Sequence, residues 1–350
     1  MYKLIIRPLM FMFPPEFIHN VVVICIKLIC KIPGVPNCLR AMFDCRKTGM
    51  EKELFGIMFR HPVGLAAGFD KNASFYNEFS NLGFSFIETG TVTPRPQSGN
   101  PRPRSFRLPK DKAIINRMGF NNMGADAAAA NLKKYGRRNG IIVGGNIGKN
   151  TNTPNEKAPD DYLYCFNALY DCVDYFTVNV SCPNIANLGL LQSNDNLAAI
   201  LSVLCRERES RKEYRPILLK ISPDLTEAQI DSAIEIVNKY NIDGIVAVNT
   251  TTSRLGLNTP SDKIINIGNG GLSGQPLYNK SNSIIKYITA KTEGKLPIIG
   301  VGGIMSPEQA VEQLKAGAWL IQIYTGFIYE GPCIVRKICS RLKSELPNYV

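Results

Sequence analysis

The chain has 350 residues, 45% of them hydrophobic, which is enough for one large core of the size that α/β barrels often reach as single domains. Its ten cysteines form no Cys-x-x-Cys pair and it has only two histidines, so neither a metal site nor a disulfide framework is expected. Despite a net charge of +12, its basic residues do not cluster beside stacking aromatics, which argues against a nucleic-acid partner.

The first 35 residues predict a helical hairpin, because apolar residues recur at helical spacing on both sides of Pro14-Pro15. The apolar run 21–26 is far shorter than the ~20 residues that cross a bilayer. Arg7, Lys27 and Lys31 flank apolar surface, which favours a helix pair lying in a membrane interface. The alternative is an ordinary extension packed on the main domain. We place the boundary between the hairpin (1–40) and the main domain (41–350). The apolar positions are Leu4, Ile5, Leu9, Met12, Phe17, Val21, Ile24 and Leu28.

From residue 60 onward, apolar runs typical of strands alternate with helical patterns. The predicted helices include 124–135, 162–172, 226–240 and 307–316. Eight such units predict a (β/α)8 TIM barrel, although a doubly wound sheet would show a similar alternation. The predicted strands are 62–68, 84–90, 141–147, 175–180, 216–221, 244–249, 297–302 and 318–324.

A dense basic group lies between the second and third predicted strands and is interrupted by five prolines. It is either a solvated loop or an electropositive rim around an anion-binding mouth. Its members are Arg95, Arg102, Arg104, Arg107, Lys110, Lys112 and Arg117.

Polar residues end nearly every predicted strand, and in a barrel they would converge on one face. Lys220 ends an apolar run, and a buried lysine is costly unless it is paired or meets an anion. Glycines at 302–303 and 326 would let main-chain N–H groups approach a phosphate. Residues 144–149 lack the full P-loop pattern and no Gly-x-Gly-x-x-Gly follows a strand, so FMN suits these groups better than a nucleoside triphosphate or dinucleotide.

The segment 179–184 (NVSCPN) follows a predicted strand with two amides and a thiol on one turn. Asn179 and Asn184 could hydrogen-bond a planar substrate, and Cys182 could act as a base once deprotonated. The alternative for Cys182 is a small buried hydrophobe.

Six motifs in this order resemble the dihydroorotate dehydrogenases, most closely the membrane-associated, quinone-reducing class 2 enzymes. The motifs are residues 66–71 (AAGFDK), 90–97 (GTVTPRPQ), 116–122 (NRMGFNN), 146–150 (NIGKN), 270–274 (GGLSG) and 299–303 (IGVGG).

The resemblance implies an FMN-containing TIM barrel that oxidises (S)-dihydroorotate to orotate in pyrimidine (UMP) synthesis. It also implies that a base removes the C5 proton, that hydride passes from C6 to N5 of FMN, and that a quinone, either ubiquinone or menaquinone, takes the electrons. Implied flavin contacts are Ala67, Gly68, Phe69, Asp70, Lys71, Thr91, Asn146, Asn179, Lys220, Val248, Gly274, Gly303, Tyr324 and Thr325. Implied substrate contacts are Lys71, Asn116, Arg117, Met118, Gly119, Phe120, Asn179, Asn184, Asn249 and Thr250.

The chain departs from the class 2 pattern at four positions. Cys182 stands where class 2 enzymes have a serine base, and a cysteine base is typical of the soluble class 1 enzymes. Ile185 replaces a threonine, Gly189 an arginine and Val248 a threonine of the class 2 pattern. A thiol accepts a proton at neutral pH far more readily than a hydroxyl, so we expect Cys182 to be the base without a relaying hydroxyl at 185.

The expected protein is a monomer on the cytoplasmic face of a bacterial inner membrane, since no Arg-rich presequence precedes the hairpin. Two alternatives stay open, a soluble class 1 type enzyme that uses fumarate and a non-catalytic flavoprotein.

Overall fold

The computed structural model describes residues 1–45, 49–136, 140–180 and 194–345. Eight of its strands are parallel and lie where the apolar runs predicted them. They are Val63–Leu65 (β3), Phe86–Val92 (β4), Ile142–Ile147 (β7), Tyr175–Asn179 (β8), Ile217–Ile221 (β9), Gly244–Ala247 (β10), Ile298–Val301 (β12) and Leu320–Ile323 (β13). They close into a barrel in the order β10-β12-β13-β3-β4-β7-β8-β9, so each predicted strand pairs with its neighbours in the chain. This confirms the TIM barrel over the doubly wound sheet.

Helices pack around the barrel, and local sequence signals determine several of their ends. The helices of the main domain are Tyr76–Phe79 (α4), Ala125–Tyr135 (α5), Ala158–Leu169 (α6), Asn194–Glu209 (α7), Glu227–Lys239 (α8), Ser261–Ile267 (α9), Tyr278–Lys291 (α10), Pro307–Lys315 (α11), Thr325–Glu330 (α12) and Ile334–Glu345 (α13). Thr226 caps α8 in a reciprocal capping box with Gln229, and Ser306 caps α11 through the main-chain N–H of Gln309. The predicted helix 162–172 in fact begins earlier, at Ala158, because Pro159 suits the first turn of a helix.

Two smaller sheets were not predicted. Lys52–Leu54 (β1) and Ile57–Phe59 (β2) form a hairpin ahead of the barrel. Ser105–Leu108 (β5), Ala113–Asn116 (β6) and Gly271–Gly274 (β11) form an antiparallel sheet inserted beside the barrel mouth. Of the seven residues of the basic group, only Arg107 lies on a strand of this sheet, and the solvated-loop interpretation is wrong for Arg104, which is only 5% exposed.

The lower half of the barrel interior is apolar and tightly filled. Phe86, Tyr175 and Leu218 belong to a buried cluster inside it. Gly64 and Gly144 make room for two of these rings, because a Cβ atom added at either would overlap the ring of Phe86 or of Tyr175. Close packing makes this part of the barrel interior rigid, and it supports the carboxyl ends of the strands.

The N-terminal segment is helical, as predicted, with a π-helical turn at Tyr2–Ile6 followed by Arg7–Phe11 (α1), Pro15–Ile29 (α2) and Val35–Phe43 (α3). Helix α3 was not predicted and continues past residue 40, where the sequence boundary was placed. The face with the predicted apolar residues stays largely uncovered: Leu4, Leu9 and Met12 are each at least 60% exposed. None of the helices in the described ranges is long and apolar enough to cross a bilayer.

Candidate functional site

Four polar side chains from strand ends form one hydrogen-bonded line across the barrel mouth. Thr91 donates to Asn146 Oδ1 at 2.6 Å and accepts from Asn179 Nδ2 at 2.9 Å. Asn179 Oδ1 in turn accepts from Asn249 Nδ2 at 3.3 Å. The predicted convergence of these strand ends is therefore confirmed. The line presents amide donors and acceptors to the mouth, as a planar ligand with carbonyl and N–H edges requires.

Glu88 lies directly below this line and is completely buried. Its carboxylate accepts from Asn146 Nδ2 at 2.7 Å, from Gln322 Nε2 at 2.7 Å and, more weakly, from the Tyr175 hydroxyl at 3.4 Å. Burial, together with the adjacent Glu88 charge, raises the pKa of Tyr175 well above its ordinary value. The phenol therefore stays a hydrogen-bond donor.

Lys220 lies near the end of β9, as the sequence indicated, and Lys71 lies in the loop after β3. Lys220 is 5% exposed and stands in register with Asn179 on the neighbouring strand. Lys71 donates from Nζ to Asn121 Oδ1 at 2.5 Å. Both can supply positive charge to an anionic ligand in the mouth.

The loop after β3 is fixed by Asp70, whose buried carboxylate accepts from the main-chain N–H groups of Ser74 and Phe75 at 2.9 and 2.8 Å. Burial raises the pKa of this carboxyl group to about 6, although the hydrogen bonds act in the opposite direction. Gly68 donates its N–H to Gly90 O at 2.7 Å. The loop that carries Ala67 and Lys71 is thus attached to the neighbouring strand.

Phe69 joins this loop to the N-terminal helices. Its ring lies 5.3 Å from that of Tyr324 and 5.1 Å from that of His19 in α2. Burial, assisted by the charge of Lys71, lowers the pKa of His19 to about 4, so the imidazole is neutral at pH 7. Burial likewise raises the pKa of Tyr324 to about 12. A series of uncharged, contacting rings therefore connects the mouth with α2.

The ends of β11, β12 and β13 meet at one corner of the mouth. Ser273 and Thr325 share a hydrogen bond of 2.8 Å between their hydroxyl groups. Gly303 has φ +78°, and a Cβ atom there would come within 2.5 Å of the Tyr278 main chain. Gly274 has φ +101° and is equally confined by Lys112 and Ala113. Hydroxyls and close-packed glycine main chain are the donor set of an anion cradle.

Segment 116–120 covers one side of the mouth. Asn116 Nδ2 donates to Gly271 O at 3.4 Å, and the ring of Phe120 packs so closely on Gly148 that an added Cβ would come within 2.9 Å of it. The guanidinium of Arg117 instead donates to Asn269 O at 3.1 Å and stacks over the ring of Phe106. Its side chain braces the inserted sheet, so a substrate contact would have to come from its main chain.

Four residues that the sequence singled out, Cys182, Asn184, Ile185 and Gly189, lie outside the described residues.

The segment after β10 is held by hydrogen bonds of its own. Val248 donates its main-chain N–H to Val301 O at 2.7 Å, and Asn249 Oδ1 accepts from the N–H of Thr250 at 2.8 Å.

Three side chains of this region were not predicted: Glu88, Asn121 and His19. A signal existed for Glu88, because an acid inside the apolar run 84–90 needs a buried partner. Asn121 stands in a quoted motif but had no sequence signal of contact with Lys71. His19 had none beyond being one of two histidines.

A separate group of ligand-type side chains lies toward the opposite end of the barrel. Cys45, His61 and Cys339 are buried, with ligand atoms within 4.8 Å of one another. Main-chain groups already occupy the imidazole, because Nε2 lies 2.9 Å from Gly83 O and Nδ1 accepts from the N–H of Val63 at 3.3 Å. Burial, followed by the Cys45 thiol, raises the pKa of Cys339 well above its usual value. Two buried thiols packed beside a hydrogen-bonded imidazole account for these contacts.

The chain is similar to known proteins over nearly its whole length. A family described as "Dihydroorotate dehydrogenase" matches residues 49–346. A Christiangramia forsetii protein named "Dihydroorotate dehydrogenase (quinone)" is 50% identical over 342 residues, 98% of each chain. An Acinetobacter baumannii protein of the same name is 44% identical, over 95% of this chain and 96% of that one. A crystal structure of DHODH from Eimeria tenella in complex with ferulenol superposes with a TM-score of 0.85 at 34% identity, over 95% of this chain and 92% of that one.

Proposed function

The chain belongs to the dihydroorotate dehydrogenase family, and we propose that its barrel mouth oxidises (S)-dihydroorotate to orotate with FMN and passes the electrons to a quinone. Its activity is that of the quinone-linked enzymes, as its relatives are named. The observation that carries the proposal is the hydrogen-bonded line of Thr91, Asn146, Asn179 and Asn249 at the ends of four strands.

The groups at the mouth fit FMN. Main-chain glycines and the Ser273–Thr325 hydroxyl pair suit a phosphate, while the amides and the buried Lys220 suit the polar edges of a flavin ring. A bound flavin supplies the acceptor for the hydride that leaves the substrate. We propose that Lys220 and Asn146 hold this group, with Thr325, Gly274 and Gly303 at its phosphate.

The remaining groups suit orotate, which has one carboxylate and a ring of carbonyl and N–H groups. Asn179 and Asn249 can hold the ring edges through directed amide hydrogen bonds. Lys71 can pair with the carboxylate, since Asn121 restrains its amino group. We propose that Cys182 removes the C5 proton, because a thiol with a reference pKa near ~8.5 ionises far more readily than the serine of class 2 enzymes.

The N-terminal helices would bring the quinone from a membrane surface. Their uncovered apolar face is of the kind that binds at a lipid interface, and the contacting rings of His19, Phe69 and Tyr324 link α2 to the mouth. A neutral imidazole and aromatic rings suit an apolar electron acceptor. We propose peripheral attachment to the cytoplasmic face of a bacterial inner membrane.

Anaerobic titration of the full chain tests the reaction. Adding dihydroorotate should bleach the flavin absorbance, and a soluble ubiquinone or menaquinone analogue should restore it. An unbleached flavin would refute the dehydrogenase. Because Cys182 is typical of class 1, fumarate forms a parallel arm, and faster reoxidation by fumarate than by either quinone would favour the soluble class.

Sedimentation with vesicles of zwitterionic and anionic lipids tests the membrane proposal. Replacing Leu4 and Leu9 by Glu should abolish sedimentation, because both side chains are exposed on the apolar face. Leu255→Glu is the matched control: Leu255 is 88% exposed but lies on the main domain, so binding should persist. Equal binding by all three proteins would contradict the proposed surface.

A further inference from the structure

The direction of every hydrogen bond in the line at the mouth follows from one group, Glu88. Asn146 donates from Nδ2 to Glu88 Oε1 at 2.7 Å, so it turns its NH2 group downward and its Oδ1 atom toward the mouth. Oδ1 then accepts from Thr91 at 2.6 Å and from Asn179 Nδ2 at 3.3 Å. The amide of Asn146 is therefore oriented from below.

The same constraint passes outward through the line. Thr91 uses its only hydroxyl hydrogen on Asn146, so it must accept from Asn179 Nδ2. Asn179 consequently turns its Oδ1 atom to Asn249. Each donor points back toward Glu88, which is the terminal acceptor of the series.

We propose that Glu88 is a positioning residue for substrate binding, because through Asn146, a flavin contact, it fixes which edge of the Asn179 and Asn249 amides faces a bound orotate. This inference rests on the proposed function, which assigns those amides to flavin and substrate. Glu88 itself touches neither, since it is fully buried beneath Asn146.

The surroundings of Glu88 keep its carboxylate in place. Gln322 donates to Oε2 from β13, while the Tyr175 ring reaches across Gly144 to add a third donor. A glutamine at position 88 would keep one acceptor and gain an NH2 group. Its oxygen belongs on the side of the two donors Gln322 and Tyr175, so its NH2 group would face Asn146. Asn146 would then face a donor, and turning its amide over would point its own NH2 group at the NH2 group of Asn179.

Calorimetric titration of the FMN-loaded protein with orotate tests the proposal by an equilibrium readout independent of turnover. Glu88→Gln should weaken orotate binding roughly 10–100-fold, as expected for loss of a charge-assisted hydrogen bond. Tyr175→Phe is the matched control: it removes a donor at the same depth but reverses no amide, so the orotate Kd should stay within about threefold of the original, the scatter of such effects. A folded Glu88→Gln protein with unchanged Kd would overturn the proposal.

A swapped pair separates orientation from general damage. In the double variant Glu88→Gln/Asn146→Asp, the new amide at position 88 can donate to the new carboxylate at position 146. That carboxylate can accept from both Thr91 and Asn179, as the Asn146 oxygen does in the original line. Orotate affinity and melting temperature should recover toward the unsubstituted values, including where Glu88→Gln alone does not fold. A swap that recovers neither overturns the proposal. If the unsubstituted protein does not bind orotate, the proposed function fails first, and this inference with it.

Discussion

The carboxylate of Glu16 in α2 lies 2.7 Å from a guanidinium nitrogen of Arg104, which is buried at the edge of the inserted sheet. Arg104 also donates to the main-chain oxygens of Ser98 and Asn100 at 2.6 and 2.9 Å. This pair therefore attaches a helix with an uncovered apolar face to the rim of the barrel mouth.

We predict that Glu16→Gln loosens α2 and slows only the quinone half-reaction. Loss of one charge at a mostly buried pair should cost about 1–3 kcal/mol of unfolding free energy. Stopped-flow measurements should show unchanged flavin reduction by dihydroorotate and slower reoxidation by quinone. Glu293→Gln breaks an exposed ion pair with Lys295 and serves as a control that changes neither quantity. Slower flavin reduction in Glu16→Gln would contradict this separation.

The same pair should respond to acid. Burial would raise the pKa of Glu16, but the hydrogen bonds and charges of Arg104 and Arg102 outweigh it, and the pKa falls below its usual value. A carboxyl group whose pKa is lowered by folding stabilises the fold above its unfolded pKa, and this contribution disappears as the pH falls through the folded pKa. The stability difference between Glu16→Gln and the unsubstituted protein should therefore shrink in acid, as melting temperatures would show.

His61 predicts a second pH dependence. Burial, reinforced by the charge of Arg60, lowers its pKa to about 3, whereas the unfolded chain titrates near ~6.5. The unfolded state binds the extra proton between these values, so stability falls as the pH drops below ~6.5. Between pH 7 and 5 this group should remove about 2 kcal/mol, and His61→Asn should flatten the dependence by that amount. Parallel melting curves for the two proteins over this range would contradict the prediction.

Gly144→Ala should destabilise the barrel floor by about 1–3 kcal/mol, because the new methyl group overlaps the Tyr175 ring inside a close-packed core. Gly145→Ala is the matched control on the next residue, where a Cβ would meet the methyl groups of Val173 at 3.2 and 3.3 Å, a contact that small shifts can relieve. Thermal unfolding should rank the three proteins. Equal losses at 144 and 145 would show that the ring does not depend on the glycine.

Cys182→Ser should slow flavin reduction by dihydroorotate at pH 7, because a serine hydroxyl ionises far less readily than a thiol. The apparent pKa of the rate of flavin reduction should rise, and the difference in rate between Cys182→Ser and the unsubstituted protein should become smaller at alkaline pH. Cys333→Ser removes a half-buried thiol outside the proposed site and should leave the profile unchanged. An unaltered rate and apparent pKa in Cys182→Ser would refute Cys182 as the base.

The barrel could be predicted from sequence because its signals are local. Each strand is a short apolar run, and caps such as Thr226 and Ser306 mark helix starts within four residues. The inserted sheet could not be predicted. Its central strand β6 pairs with β11, more than 150 residues away, and the charged and proline-rich sequence around it shows no period of two.

The mouth was predictable as a set of residues but not as a network. Strand ends indicate that Thr91, Asn146 and Asn179 converge, yet no sequence rule states which amide edge each presents. That choice depends on Glu88, for which the sequence predicts only a place in a strand. The pairing of Glu16 with Arg104 was hidden for the same reason, since 88 residues separate them and neither lies in a recognisable motif.

The start of the chain is held by residues near its end. The Tyr2 hydroxyl donates to Ile328 O at 2.6 Å, Arg7 donates to Tyr329 O at 3.0 Å, and Lys3 pairs with Glu330. A ribosome adding about 5–20 residues per second would need roughly 20–60 s to make the intervening chain. During that time the apolar helices have emerged but have no barrel on which to dock. These helices are made before the barrel yet are among the last elements to reach their place, and the nascent chain must keep them from aggregating or deliver them early to a lipid surface.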